Sequence, residues 1–157
     1  MITAEIQASR EVNLGNAFHS IMEFSMELDE IDTDFVRSTI SNFPLNFSDT
    51  KLIINSVEKI KNSDACMGVL KKNSDIILVE REWFNSDGKI VRPDRVDFYL
   101  NSKIVRIIDF KLTSTKENFE NHRNQLLKYE ECIKYNYPSM SMESLIITNE
   151  AQICYIK

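Results

Sequence analysis

The residues best suited to chemistry are Asp94, Asp109 and Lys111, on two segments that read as neighbouring strands. IVRPDRVDFYL (90–100) and KIVRIIDFKLT (103–113) alternate in polarity, and Asn101-Ser102 between them suits a two-residue hairpin loop. That loop sets Val96 opposite Ile107, Phe98 opposite Val105 and Asp97 opposite Arg106. Asp97 and Arg106 lie on the other face, while the face of Val96 also sets Asp94 opposite Asp109, and Arg92 opposite Lys111. Carboxylates directly opposite each other repel, with Cβ atoms only ~4.5–5.5 Å apart. Withdrawal from water raises the cost. Protonation of one acid relieves it, and so does a cation between the two. Two carboxylates with a few waters are a Mg²⁺ pattern. Lys111, two residues beyond Asp109, completes equipment for phosphodiester hydrolysis: a metal to clamp phosphoryl oxygens, and a lysine to position water or offset charge. The plainer reading is that both acids are solvated and Lys111 pairs with one of them. A three-residue loop would turn Asp97, instead of Asp94, to the face of Asp109.

Other elements must position this hairpin. Leu14, Phe18, Ile21, Met22 and Leu28 recur near helical spacing after Asn13. Asp32 and Thr33 offer caps for a helix stopping before Pro44, and Ser48 and Asp49 offer caps for one carrying Leu52, Ile53, Val57 and Ile60. IILVEREWF (76–84) reads as a strand and NSDGK (85–89) as a turn. Pro93 is confined to a strand edge, a strand start or a bulge. A helix is expected over roughly 117–135, with Phe119, Leu126, Leu127 and Ile133 apolar, then strands at 144–149 and 152–157. Helices, a three-strand meander, a helix and a closing hairpin imply an α/β fold with a central mixed sheet flanked by helices.

The 157 residues suit a single domain spanning 1–157, and 43% hydrophobic content argues against disorder. No apolar run approaches the ~18 residues of a membrane span, and MITAEIQASREVNLG carries no secretory signal pattern. Cys66, Cys132 and Cys154 are scattered, which removes zinc-ribbon, iron–sulfur and disulfide frameworks. Three reduced thiols in a cytoplasmic protein are expected. The net charge of -5 argues against strong autonomous DNA binding, because phosphate neutralisation supplies most of that affinity.

Arg92-Pro93-Asp94-Arg95-Val96, followed by Ile107-Ile108-Asp109-Phe110-Lys111, resembles the R-P-D-R-V and V-I-D-Y-K segments of PD-(D/E)XK nucleases, in particular the nuclease domain of RecB- and AddA-type helicase–nucleases. Gly15 to His19 matches the upstream G-x-x-x-H of that group, and Gln125 to Tyr129 its downstream Q-x-x-x-Y. The elements fall in family order from residue 15 to 129. The resemblance implies a restriction-endonuclease-like fold and Mg²⁺- or Mn²⁺-dependent DNA cleavage, exonucleolytic, in repair or recombination. It implies metal ligation by His19, Asp94, Asp109 and the Phe110 carbonyl, and makes Lys111 the catalytic lysine. Glu80 becomes a supporting catalytic acid, with Glu82 as its rival. Gln125 and Tyr129 would contact DNA or support the site. Phe110 replaces the usual tyrosine, and Leu112-Thr113-Ser114 stands where a glycine is usual. No P-loop is present. The implied partners are linear DNA, its ends or single strands, and a helicase or recombination protein that delivers it. The alternative is an inactive nuclease-fold module that binds a partner protein or a nucleic-acid end.

Several side chains have two readings. Arg92 is a candidate phosphate contact, and Arg106 a partner for Asp97. Trp83 and Phe84 are either core or a platform for unpaired bases. His122, one turn before Gln125, either approaches the site or is exposed. Lys59, Lys61, Lys71 and Lys72 form either a solvated face or a local basic patch for a nucleic-acid backbone.

Overall fold

A computed structural model describes residues 2–71, 73–112 and 116–156. Lys72, Thr113, Ser114 and Lys157 lie outside the described residues. The chain opens with helix α1 (Ile2–Met22), a 3-10 segment (Ser25–Glu30), and helices α2 (Thr33–Ile40), α3 (Phe47–Lys61) and α4 (Asp64–Leu70). Strands β1 (Ile76–Val79), β2 (Trp83–Phe84), β3 (Ile90–Val91), β4 (Arg95–Tyr99) and β5 (Ile104–Lys111) follow. Helix α5 (Lys116–Asn136) and strands β6 (Ser141–Thr148) and β7 (Ile153–Ile156) complete it. The main sheet has five strands in the order β1-β4-β5-β6-β7. Among the described strands only β5 and β6 run parallel, and α5 makes the crossover that a parallel pair requires. The architecture is therefore α/β with a mixed sheet, as the order of patterns implied.

Both faces of the sheet are covered. Ile108, Phe110, Leu145 and Ile147 pack against Phe18 and Ile21 of α1, Val36 and Ile40 of α2, and Ile53, Val57 and Ile60 of α3. Val96, Val105, Ile107 and Ile146 pack against Leu126, Tyr129 and Ile133 of α5. Alternation along β5 divides its side chains between two cores, so Asp109 and Lys111 share the face of Ile107. No helix among the described residues is long and apolar enough to cross a membrane. Cys66 and Cys132 are buried, and all three cysteines are free thiols.

The register of β4 on β5 follows the two-residue loop: Val96 opposes Ile107, Asp97 opposes Arg106 and Phe98 opposes Val105. Lys103 takes a left-handed φ of 54° and donates its N–H to the Leu100 carbonyl, which closes the turn.

Four local expectations are corrected. The expected strand 76–84 breaks after Val79, because Glu80 turns left-handed at φ 51°. Its partner, 90–100, breaks at Pro93, which has no N–H for a ladder. Trp83-Phe84 and Ile90-Val91 consequently form a separate two-stranded sheet, while the Glu80 N–H donates to the Asp94 carbonyl and holds the two breaks together. The N-cap of α3 is Asn46, in a capping box with Asp49, rather than Ser48 or Asp49 itself. There the Asn46 side chain accepts the Asp49 N–H and the Asp49 carboxylate accepts the Asn46 N–H. Arg106 pairs with Glu143, its neighbour on the parallel strand β6, because Arg95 has taken Asp97. Helix α4, capped by Ser63, had no expectation behind it.

Candidate active site

Strand β4 begins one residue after Asp94, so Asp94 is not a rung of the ladder. It sits where continuation of the register would set it, beside the end of β5, and its Oδ2 accepts the Phe110 N–H at 2.7 Å. The same oxygen lies 3.2 Å from His19 Nδ1 on α1. Asp109 is 1% exposed. Its Oδ2 is 2.7 Å from Lys111 Nζ but makes no directional hydrogen bond. Lys111 Nζ instead donates to Gln125 Oε1 at 3.1 Å, and Gln125 Nε2 donates to the Tyr129 hydroxyl oxygen at 2.7 Å. Gln125 and Tyr129 stand one turn apart on α5, as their spacing requires. The chain of contacts thus runs from the helix face to the lysine to the buried acid.

These groups line a cleft of about 350 Å³ together with Asn16, Ser20, Glu23, Glu80 and Arg92. Glu80 forms an ion pair with Arg92 at 3.0 Å. The cleft holds the acids Glu23, Glu80, Asp94 and Asp109 against the permanent cations Arg92 and Lys111. That surplus of negative charge has visible electrostatic consequences. Burial and the adjacent Asp94 charge push the Asp109 carboxyl up to about 7, from an ordinary 3.8, against the pull of Lys111. Burial and the Asp94 charge also raise Glu80. Burial opposes the charging of His19, but its hydrogen bond to Asp94 and the charges of Asp94 and Asp109 outweigh this and raise it. Tyr129 is held well above the usual phenol range by burial and the same two aspartates, so it remains a neutral hydroxyl.

The structure brings His19, Asp94, Asp109, Lys111, Glu80, Arg92, Gln125 and Tyr129 into one cleft. Phe110 meets it through its N–H, while its ring is buried among α1–α4. Tyr129 is buried and ties down Gln125, so it supports Lys111 instead of offering a surface for DNA. Arg92 faces Glu80 and not Lys111, because the chain leaves the ladder before it. Glu82 is exposed and lines the adjoining hollow with Glu80 and not the cleft itself. His122 lines a second groove, which shares His19 and Lys111 with the cleft. Lys59 pairs with Glu150, and Lys61 donates to the Ile31 carbonyl, so these two of the basic run are engaged within the molecule. Asn16, Ser20 and Glu23 were missed. With His19 they occupy i, i+3, i+4 and i+7 along α1 and the residue just after it, a polar stripe beside the apolar one, which could have revealed them.

Hard oxygen donors and an imidazole suit Mg²⁺ or Mn²⁺. The buried Oδ2 of Asp109, in contact with Lys111 but without a directional hydrogen bond, fits, with the Asp94 carboxylate beside it, a cation held by two acids and completed by water. Among the described residues no group of three or more His, Cys, Asp or Glu forms a ready cage. His19 meets Asp94 through Nδ1, so it would ligate through Nε2 or by giving up that contact.

Gly15, the glycine of the G-x-x-x-H pattern, has no heavy atom within 4 Å of where a Cβ would stand. Packing does not demand it, and inside α1 it costs helix stability. Gly15→Ala is therefore expected to stabilise the fold by about 1 kcal/mol, read as a higher denaturant midpoint. Compared with known proteins, the chain matches no family model, and no curated protein matches it either.

Proposed function

We propose that this chain is a restriction-endonuclease-like, metal-dependent nuclease that hydrolyses phosphodiester bonds in DNA. One observation carries the reading: Asp94, Asp109 and Lys111 meet at one end of the sheet, with the buried Asp109 oxygen against the Lys111 ammonium and its carboxyl pushed up by burial and the neighbouring Asp94 charge. Asp94 and Asp109 would hold the Mg²⁺ or Mn²⁺, with His19 as a third ligand. When bound, such an ion polarises phosphoryl oxygens and lowers the pKa of a bound water.

The chain's own residues supply the rest. Lys111, held by Gln125 and backed by Tyr129, presents its ammonium beside the two acids. There it orients the attacking water and offsets the negative charge that grows on the phosphate. Arg92, at the mouth, meets the flanking phosphate. The acidic surface as a whole does not attract DNA, which favours delivery by a helicase or recombination partner. The same acidity is the observation behind a second reading, an inactive module that docks a partner protein. The deciding measurement is Mn²⁺-dependent degradation of linear DNA by the wild-type protein and by Asp109→Asn. Equal degradation by both removes the nuclease reading.

A pH titration adds a check. The His19 pKa is raised above 6.5 in the folded chain, so the His19–Asp94 pair stabilises fully below pH 6.5 and is lost as pH rises through the raised value. Ligation needs the neutral ring. Calorimetric Mn²⁺ affinity is expected to weaken as pH falls through that value, and His19→Ala to flatten the dependence. A pH dependence equally steep in the variant would remove His19 from the ligand set.

A further inference from the structure

The two readings of Trp83-Phe84 separate in the structure. Trp83 is 7% exposed in the core beneath α5, with the exposed Tyr137 ring edge-on to it, whereas Phe84 is 53% exposed. Adjacent strand residues point to opposite faces, so a buried Trp83 forces Phe84 outward. The β2–β3 hairpin that presents it is well held. The Asn85 side chain accepts the N–H groups of Asp87 and Lys89 across the turn, and Gly88 supplies the positive φ of 73° the turn requires. Asn136 of α5 donates to the Phe84 carbonyl. Phe84, Arg81, Arg92, Glu80 and Glu82 line a hollow of about 420 Å³. Glu80 and Arg92 also line the catalytic cleft, so the two depressions are continuous.

We propose that this hollow is a subsite for unpaired DNA, in which Phe84 stacks on a base while Arg81 and Arg92 meet the backbone. The inference rests on the nuclease reading and adds a strand preference to it. An exposed ring on a fixed hairpin, flanked by guanidinium groups and leading into the cleft, is what a stacking platform needs. A duplex keeps its bases stacked on one another and cannot use the ring. Glu80 opposes the Arg92 charge, so stacking and Arg81 carry the larger share.

The test is fluorescence anisotropy with a labelled oligothymidylate and a blunt duplex, without divalent metal, on wild type, Phe84→Ala and Phe84→Trp. Phe84→Ala is expected to bind the single strand about tenfold more weakly. Phe84→Trp retains binding, and duplex affinity stays the same in all three. Emission from Trp83, the single tryptophan of wild type and Phe84→Ala, checks that the hairpin is intact. Unchanged single-strand affinity in Phe84→Ala overturns the subsite, as does an equal loss for duplex, or wild type that binds no single strand. Mn²⁺-dependent cleavage by wild type with no role for Phe84 leaves the nuclease reading standing without the subsite. Phe84-dependent binding with no cleavage leaves the subsite without the nuclease.

Discussion

Asp109→Asn is expected to lower Mn²⁺-dependent cleavage of linear DNA by about a thousandfold, and at the same time to raise the Tm of the metal-free protein at pH 8. The first effect follows from the proposed role. Removing a charge that acts on the transition state costs roughly 10²–10³ in rate, and loss of a carboxylate ligand belongs at the upper end. The second follows from burial. Asp109 has a pKa of about 7 when folded, against an ordinary 3.8. An acid raised in this way contributes stability that is present below about pH 3.8 and is lost as pH rises to about 7. Above that, the folded protein carries a desolvated charge beside Asp94, at a cost on the order of 4 kcal/mol across the interval. Asparagine has nearly the same shape and no charge, so it removes the penalty. Each kcal/mol corresponds to ~2–4 °C in Tm at this chain length, so a shift of several degrees is the expected reading. Scans from pH 4 to 8 provide the check: stability of wild type falls over that range and that of Asp109→Asn falls less. Added Mn²⁺ should raise the Tm of wild type at pH 8 and leave the variant unchanged. A variant that loses activity and stability together would mean that Asp109 holds the fold instead of serving a cation.

The second large effect concerns Arg95 and Asp97. Arg95 is 0% exposed, and its Nε and Nη2 donate to the two Asp97 carboxylate oxygens at 2.7 and 2.9 Å. Its Nη1 reaches the Ser25 carbonyl at 3.3 Å, where the chain leaves α1 for the 3-10 segment. Burial raises the Asp97 carboxyl, and the hydrogen bond and charge of Arg95 work against that rise. Removing one partner strands the other in the core. Arg95→Met or Asp97→Leu alone is expected to cost about 3–5 kcal/mol in chemical denaturation. The double replacement should recover most of the loss, since an apolar pair of similar volume has no ion to desolvate. Single variants with near-native denaturation midpoints would contradict this. The double variant also isolates a positioning role: full stability with impaired cleavage would mean the pair fixes the end of α1, which carries His19, against the strand start that carries Asp94.

The sequence alone determined what depends on short range. The register of β4 on β5 follows from a two-residue loop and a period of two, so Asp97 opposite Arg106 was readable without coordinates. The apolar stripe through Phe18, Ile21 and Met22 named the buried face of α1, because helical periodicity is local. Asp94, Asp109 and Lys111 were placed on one site by the same arithmetic. Only the tertiary structure decided which partners those groups choose. Opposite residues in a ladder need not pair, and Arg95, two positions from Asp97 on its own strand, displaced Arg106 because it alone is buried with it. The strand break at Glu80, which lets Phe84 face outward beside the cleft, comes from a left-handed backbone that no residue pattern at that position announces. Tyr129 became a support for Lys111 through the closing of α5 onto β5, a contact between segments whose distance in sequence carries no signal of their distance in space.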